Sequence, residues 1–255
     1  MKNVPQSTLA KMLANMLGPA LVVLVVLALW EMLHLVIGNS ALTSPWATVV
    51  ELKSLVLTGD FWDNVAETGR ALLYSLIIAF IGGTLLGVVL GVNRMSGAVA
   101  EPILLNLYSL PKVTLYPLVL LVFGLGISAK VAFGVMHGLI PILMFTMNAI
   151  REMRPVFLRA ARTMHLSSRQ AIMHVVLPAI FPQVITGLRL GFSLTLLGVL
   201  IGEMFASQQG LGHLLTNAMN LGDIRSIMAI ALFLTLFALG CNAVLMMIDK
   251  RLQHR

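Results

Sequence analysis

Six runs of roughly 20 apolar residues divide this 255-residue chain, and they narrow its possible folds more than any other feature. A run of that length crosses the ~30 Å hydrocarbon core of a bilayer as a helix, which pairs its backbone donors and acceptors within its own segment. The spans are read at residues 18–38, 68–92, 99–123, 129–150, 184–206 and 227–248. The chain is 58% hydrophobic and 11% charged, whereas an ordinary soluble domain carries about 25% charged residues. The expected fold class is all-α integral membrane, with six transmembrane helices in a single domain over residues 1–255. A soluble enzyme, a secreted disulfide scaffold and a disordered chain are excluded. The single Cys241 lies inside an apolar run and leaves no intrachain disulfide to form. The first span follows Lys2 and Lys11 like a signal peptide. Its apolar stretch is longer than a signal core and no small-x-small site follows, so it is expected to be retained.

The net charge of +7 would point to nucleic acid in a soluble protein; here its distribution reports topology. Eleven Lys and Arg fall in the N-terminal segment, the second and fourth loops and the C-terminal segment, against three (Lys53, Lys130, Arg225) on the other side. The positive-inside rule then expects both termini and the long fourth loop in the cytoplasm of a bacterial inner membrane. Before the first span, Leu9, Met12, Leu13, Met16 and Leu17 share one helical face, which predicts a short interfacial helix. Residues 45–57 predict a second one, with Ser44 as cap, Pro45 in the first turn and Gly59 as its stop. Gly83, Gly87 and Gly91 form a small-xxx-small stripe on the second span, read as a helix-packing face.

The fourth loop, residues 151–183, is too long to be structureless in a compact domain. Pro155 suits the first turn of a helix running to about Met164, with Val156, Phe157, Ala160, Ala161 and Met164 as an apolar stripe. Ser167 and Gln170 have the spacing of a capping box that opens a second helix to about Val176, before Pro178 and Pro182 break the chain. Five Arg and Glu152 make this helix–elbow–helix cationic, a shape suited to a groove on a soluble partner.

The stretch LRAARTMHLSSRQAIMHVVLPAIFPQVITGLRLG resembles the EAA loop of membrane subunits of binding-protein-dependent ABC importers. The family pattern is Glu-Ala-Ala, three residues, Gly and a distal Ile-x-Leu-Pro; Ala160, Ala161, Val175, Leu177 and Pro178 fall in register. TGDFWDNVAETGRALLYS, LYSLPKVTLYPLVLLVFGLGISAK and GLRLGFSLTLLGVLIGEM extend the likeness over most of the chain, towards the nitrate/sulfonate/taurine/bicarbonate branch. The resemblance implies a type I ABC importer-like fold with a cytoplasmic coupling loop contacting an ATPase through Arg159, Ala160, Ala161, His165, Leu166, Leu177 and Pro178. Two departures stand out: the family Glu is Arg159, which implies an ATPase groove of different charge or a dispensable contact, and the family Gly is His165, which implies a reshaped elbow. It also implies a second permease copy, two cytoplasmic ATPase subunits, an external substrate-binding protein and surrounding membrane lipid as partners. ATP and Mg would sit on the ATPases, with no cofactor, metal or catalytic residue on this chain. The chain has no G-x-x-x-x-G-K-[ST] phosphate loop, in keeping with hydrolysis on a separate subunit.

Ionisable and polar residues inside spans are costly, and are usually functional or paired. Asn106, Tyr108, Ser109, Lys112, Thr114 and Tyr116 surround Pro111, which must interrupt the third span. Freed backbone groups there need protein or a water-filled path, so these residues and Glu203 are the candidate translocation path. Lys112 suits an anionic solute (a sulfonate, nitrate or organic acid) or could pair with Glu101 or Glu203. Glu31 and His34 lie one turn apart and could bond each other. Arg189 is expected to snorkel or to meet the loop helices. His137, Thr146 and Asn148 are weaker path candidates, and Met136, Met144 and Met147 are read as packing. The competing function is an ion-gradient-driven secondary transporter, with Glu31, His34 and Glu203 as its only acid–base features. An intramembrane enzyme lacks both an H-E-x-x-H and a G-x-S-x-G motif.

Overall fold

A computed structural model describes residues 8–38 and 41–253, and the described residues form helices joined by short turns. Helix α1, Thr8–Ile37, joins the expected interfacial helix and first span in one rod. Gly18 and Pro19 lie inside it without ending it, since a proline there removes a single backbone bond while the apolar run continues. Helix α2, Pro45–Val56, starts as expected: the Ser44 hydroxyl accepts the Ala47 N–H at 3.2 Å, and Pro45 opens the first turn. Gly59 does not merely stop α2; it begins α3, Gly59–Val92. The second span therefore starts well before its apolar run, because the polar segment 59–67 is anchored by buried Phe61 and Asn64.

The third span is broken, as Pro111 requires. Helix α4, Arg94–Ser109, gives way to a 3-10 turn at Lys112–Leu115 and then to α5, Tyr116–Phe123, with an 83° bend between the two parts. Leu110, ahead of the proline, is held in the extended region at φ −60° and ψ 137°. Helix α6 covers Ile127–Arg151, α7 Pro155–Thr163 and α8 Ser168–Ala171. A π-turn at Ile172–Val176 leads directly into α9, Leu177–Ala206, followed by α10, Leu211–Asn220, and α11, Ile224–Gln253. Five of these helices are long and apolar enough to cross a membrane, and the bent α4–α5 pair passes the same test when its two parts are taken together.

The core is a three-helix layer with α6 between α3 and α9. The glycine stripe of α3 sets one side of it. A Cβ at Gly83 would lie 3.0 Å from the Ile142 Cβ, one at Gly87 2.6 Å from the Thr146 Cβ, and one at Gly91 3.0 Å from the Ile150 Cβ. Successive turns of α6 thus fill the notches left by successive glycines. The other side repeats the device, with Gly187, Gly191, Gly198 and Gly202 of α9 lying against Phe145, Ile142, His137 and Lys130. Helix α1, by contrast, exposes its whole apolar span, as a lipid- or partner-facing helix does.

Candidate functional site

At one end of the bundle, α7 and the start of the α8–α9 rod form the coupling loop. Helix α7 closes by hydrogen bonds from the His165 N–H to the Arg162 carbonyl at 3.0 Å and from the Leu166 N–H to the Ala161 carbonyl at 3.1 Å. That is the Schellman pattern, which needs its first residue past the cap in the left-handed region. His165 occupies that place at φ 53°. The elbow therefore keeps the geometry expected of the family glycine. The capping box forms as predicted: the Gln170 Oε1 accepts the Ser167 N–H at 3.0 Å, and the Ser167 Oγ accepts the Gln170 N–H at 3.4 Å. The predicted chain break at Pro178 and Pro182 is absent. The π-turn bonds the Leu177 N–H to the Ile172 carbonyl, so the helix widens just before Pro178 and continues through both prolines. Val176, Ile180 and Val184 pack with Ile150, and Leu177 packs against them, which fixes the rod to α6.

The residues assigned to coupling divide between two faces. Arg159, Ala160, His165 and Pro178 are exposed, while Leu166 and Leu177 are half-buried. Ala161 is only 4% exposed and points into the bundle. Exposed Val156 and Phe157, and Met164 at 69%, supply the apolar part of the outer face. Between the loop and the ends of α3, α4 and α6 lies a cavity of about 890 Å³, lined by Val92, Glu101, Asn148, Arg162 and Leu166 among others. Beside it an ion pair that sequence reasoning missed, Arg151 to Glu101 at 2.6 Å, ties α6 to α4.

At the break in the third span, Asn106, Tyr108, Ser109 and Thr114 lie on exposed surface and Lys112 is half-buried. The Asn106 amide donates to the Pro102 carbonyl at 2.8 Å, the Ser109 hydroxyl to the Asn106 carbonyl at 2.9 Å, and the Thr114 hydroxyl to the Pro111 carbonyl at 2.8 Å. The Lys112 ammonium donates to the Tyr108 carbonyl at 2.8 Å and sits 5.1 Å over the Tyr108 ring. It pairs with neither Glu101, which Arg151 holds, nor Glu203.

Glu203 belongs elsewhere. It is fully buried at the end of the bundle away from the coupling loop, where its carboxylate accepts the Thr68 hydroxyl at 2.9 Å and the Gly212 N–H at 2.9 Å. Lys130, 2% exposed, lies 3.9 Å from Glu203, 3.1 Å from Glu67 and 2.8 Å from the Gln209 carbonyl. The Asn64 side chain and the Thr68 hydroxyl receive the Gly210 and Leu211 N–H groups at 2.7 and 2.8 Å. This knot pins the start of α10 to α3, α6 and α9, so Glu203 lines no open surface of the chain. Lys130, counted in the sequence only as a loop charge, is its buried centre.

Other expected contacts are replaced. His34 does not bond Glu31; its Nδ1 lies 2.7 Å from the Leu42 carbonyl and ties down the α1–α2 connection, because that free carbonyl lies within reach. Arg189 neither snorkels nor meets the loop helices: its Nε donates to the Asn242 side chain of α11 at 2.9 Å. His137 and Thr146 bond carbonyls of their own helix, Phe133 and Ile142, at 2.9 and 2.8 Å. Asn148 lines the loop-end cavity. Met136, Met144 and Met147 are packed in apolar clusters, as read. Outside the spans, Asp223 caps α11. Its carboxylate is held below the usual range chiefly by the Ser226 side chain, and it accepts the Ser226 N–H at 3.2 Å.

Five apolar helices and the bent α4–α5 pair thus build a glycine-seamed bundle with a capped helical elbow at one end. Residues 83–255 match the family described as binding-protein-dependent transport system inner membrane component, and the chain belongs to that family. It is similar to the nitrate import permease protein of Synechococcus elongatus, with 26% identity over 77% of this chain and 74% of that one. It is also similar to the formylaminopyrimidine transport permease protein of Halalkalibacterium halodurans, with 26% identity over 89% of this chain and 92% of that one. Its fold matches a chain of the MetNI methionine ABC transporter at a TM-score of 0.61 and 17% identity, covering 81% of this chain and 96% of that one. The protein is the permease subunit of an ABC importer. The ion-gradient alternative finds no support among these relatives.

Proposed function

We propose that two copies of this chain enclose a path for a small anionic solute, with the break around Pro111 lining it. The loop 151–183 and both termini face the cytoplasm, as the charge count of the loops favours. Two ATPase subunits dock on α7, and an external binding protein delivers the solute to the opposite end. ATP and Mg bound to those subunits would supply the driving energy. The chain's own part is mechanical: α7 receives the movement, and the rod from Ser168 to Ala206 carries it across the bundle.

One observation carries this reading. On the capped elbow, Val156, Phe157 and Met164 are exposed beside Arg159 and Ala160, an apolar and cationic ridge that nothing among the described residues covers. Because Ala161 is buried, a bulky residue there would disturb the elbow itself; Ala160 is the better probe. Ala160→Trp and Arg159→Glu should lower ATPase co-purification and ATP-driven uptake while leaving thermal stability in detergent unchanged. Unaltered association and uptake in both variants would show that α7 is not the docking surface.

A further inference from the structure

Helix α6 holds both halves of the broken third span, at opposite ends of its length. Near its start, Ala129 and Phe133 pack with Tyr116 and Val119 of α5, and the Tyr116 hydroxyl donates to the Gly202 carbonyl of α9 at 2.6 Å. Near its other end, Leu143 and Met147 pack with Leu104 of α4. One turn further on, the Arg151 guanidinium donates to the Glu101 carboxylate at 2.6 Å. This is the one ion pair between α4 and α6 among the described residues. Gly97 makes room for it: a Cβ there would stand 3.2 Å from the Arg151 Cδ and 3.0 Å from the Leu90 carbonyl. Beyond Leu104, residues 105–110 are exposed, so α4 leaves its seat on α6 and runs out to the break.

Arg151 is also the last residue of α6, and α7 begins at Pro155. The root of the coupling loop and the first half of the third span are thus fastened together at one point. The second half is fastened to the far end of α6 and to α9. We propose that Arg151 is a positioning residue: through Glu101 it makes α4 follow the elbow, so that movement of an ATPase reaches the break at Pro111 by a route separate from the α9 rod. The proposal rests on the docking of an ATPase at α7 and on the path given above. A shift of the loop root moves α4 against α5, and the part that yields is the 83° bend between them. About 14 Å of helix carries the shift from Glu101 to Leu110. A partly exposed ion pair adds little to stability. Its short, charge-assisted hydrogen bond instead fixes the direction in which one helix follows the other.

The test uses the permease with its ATPase in lipid nanodiscs, in a Cys241→Ala background. Val113→Cys, at an exposed place in the turn, reports the break, and Gln208→Cys, also exposed, reports the far end of the rod. The rate at which a water-soluble methanethiosulfonate modifies each is measured without nucleotide and with ATP and vanadate. Both rates should respond to nucleotide. Arg151→Gln and Glu101→Gln should each shrink the response at Val113→Cys about two- to fivefold, the range open to one exposed ion pair. The response at Gln208→Cys should stay, because the rod is untouched. Arg151→Lys, which keeps the charge, should recover most of the response at the break. A full response at Val113→Cys in Arg151→Gln, an equal loss at both reporters, or a loss in Arg151→Lys as large as in Arg151→Gln would overturn the assignment. No response at either reporter with Arg151 and Glu101 intact would overturn the underlying coupling reading instead, and the assignment with it.

Discussion

His165 carries a backbone conformation that most side chains avoid, and the elbow depends on it. At φ 53° it closes α7 in the place where the family pattern has glycine. Histidine enters this region more readily than β-branched residues do. His165→Val is therefore expected to destabilise the protein by about 1–2 kcal/mol, and His165→Gly to be tolerated. Thermal unfolding in detergent separates the two. Asp223 gives a residue-scale prediction in pH. Its carboxyl is more acidic in the folded chain than its ordinary value of 3.8, so the cap it provides is fully present above that value. The cap is lost as pH falls through the lower, folded value. Amide exchange at residues 224–227, relative to its intrinsic rate, should accelerate in the wild type as pH falls through that lower value. In Asp223→Ala it should be fast at neutral pH, with a cost of about 1 kcal/mol.

Among the elements, the α3–α6 seam is the least forgiving. At Gly87 a Cβ would meet the Leu143 carbonyl at 2.8 Å as well as Thr146, and backbone cannot give way as a flexible side chain can. Gly87→Ala should cost about 1–3 kcal/mol, while Gly240→Ala, with open space around it, should leave the melting temperature unchanged. This seam was legible in the sequence because a glycine every fourth residue is a local pattern. So were the capping box at Ser167 and the interruption at Pro111, each written within a few residues. The start of α3 at Gly59 was not, since hydropathy is blind to a polar helical turn anchored by one buried phenylalanine. Helix α10 was also missed, although Leu211, Leu214, Leu215 and Ala218 share helical spacing behind Gly210. The knot around Glu203 was hidden for another reason. Its members Asn64, Glu67, Thr68, Lys130 and Gln209 meet only after the helices pack, and no local pattern marks them as neighbours.

At the scale of the molecule, the rod from Ser168 to Ala206 joins the two ends of the bundle. About 39 residues at roughly 1.5 Å each make it about 60 Å long. One end bears the capped elbow and the other carries Glu203. Breaking the buried pair from one side, as in Glu203→Ala, leaves Lys130 beside Glu67 alone and should cost about 3–5 kcal/mol. Replacing both partners, in Glu203→Leu with Lys130→Met, should cost less than the sum of the single changes, which a double-mutant cycle in detergent would measure.

The π-turn in this rod holds one residue more than an α-helix needs for the same bonding cycle. The wide turn absorbs that extra residue, so elbow and span keep their angular phase, as a slack link keeps two gears in time. Removing Met173 should return the turn to ordinary α-helix and keep that phase. Removing a residue from the regular part of the rod instead, such as Ala179, would rotate the elbow by about 100° relative to the rest of α9 and advance it by about 1.5 Å. The ridge formed by Val156, Phe157 and Met164 would survive intact but face the wrong way. Such a deletion should leave a chain that still inserts and packs, yet runs out of step with whatever turns it.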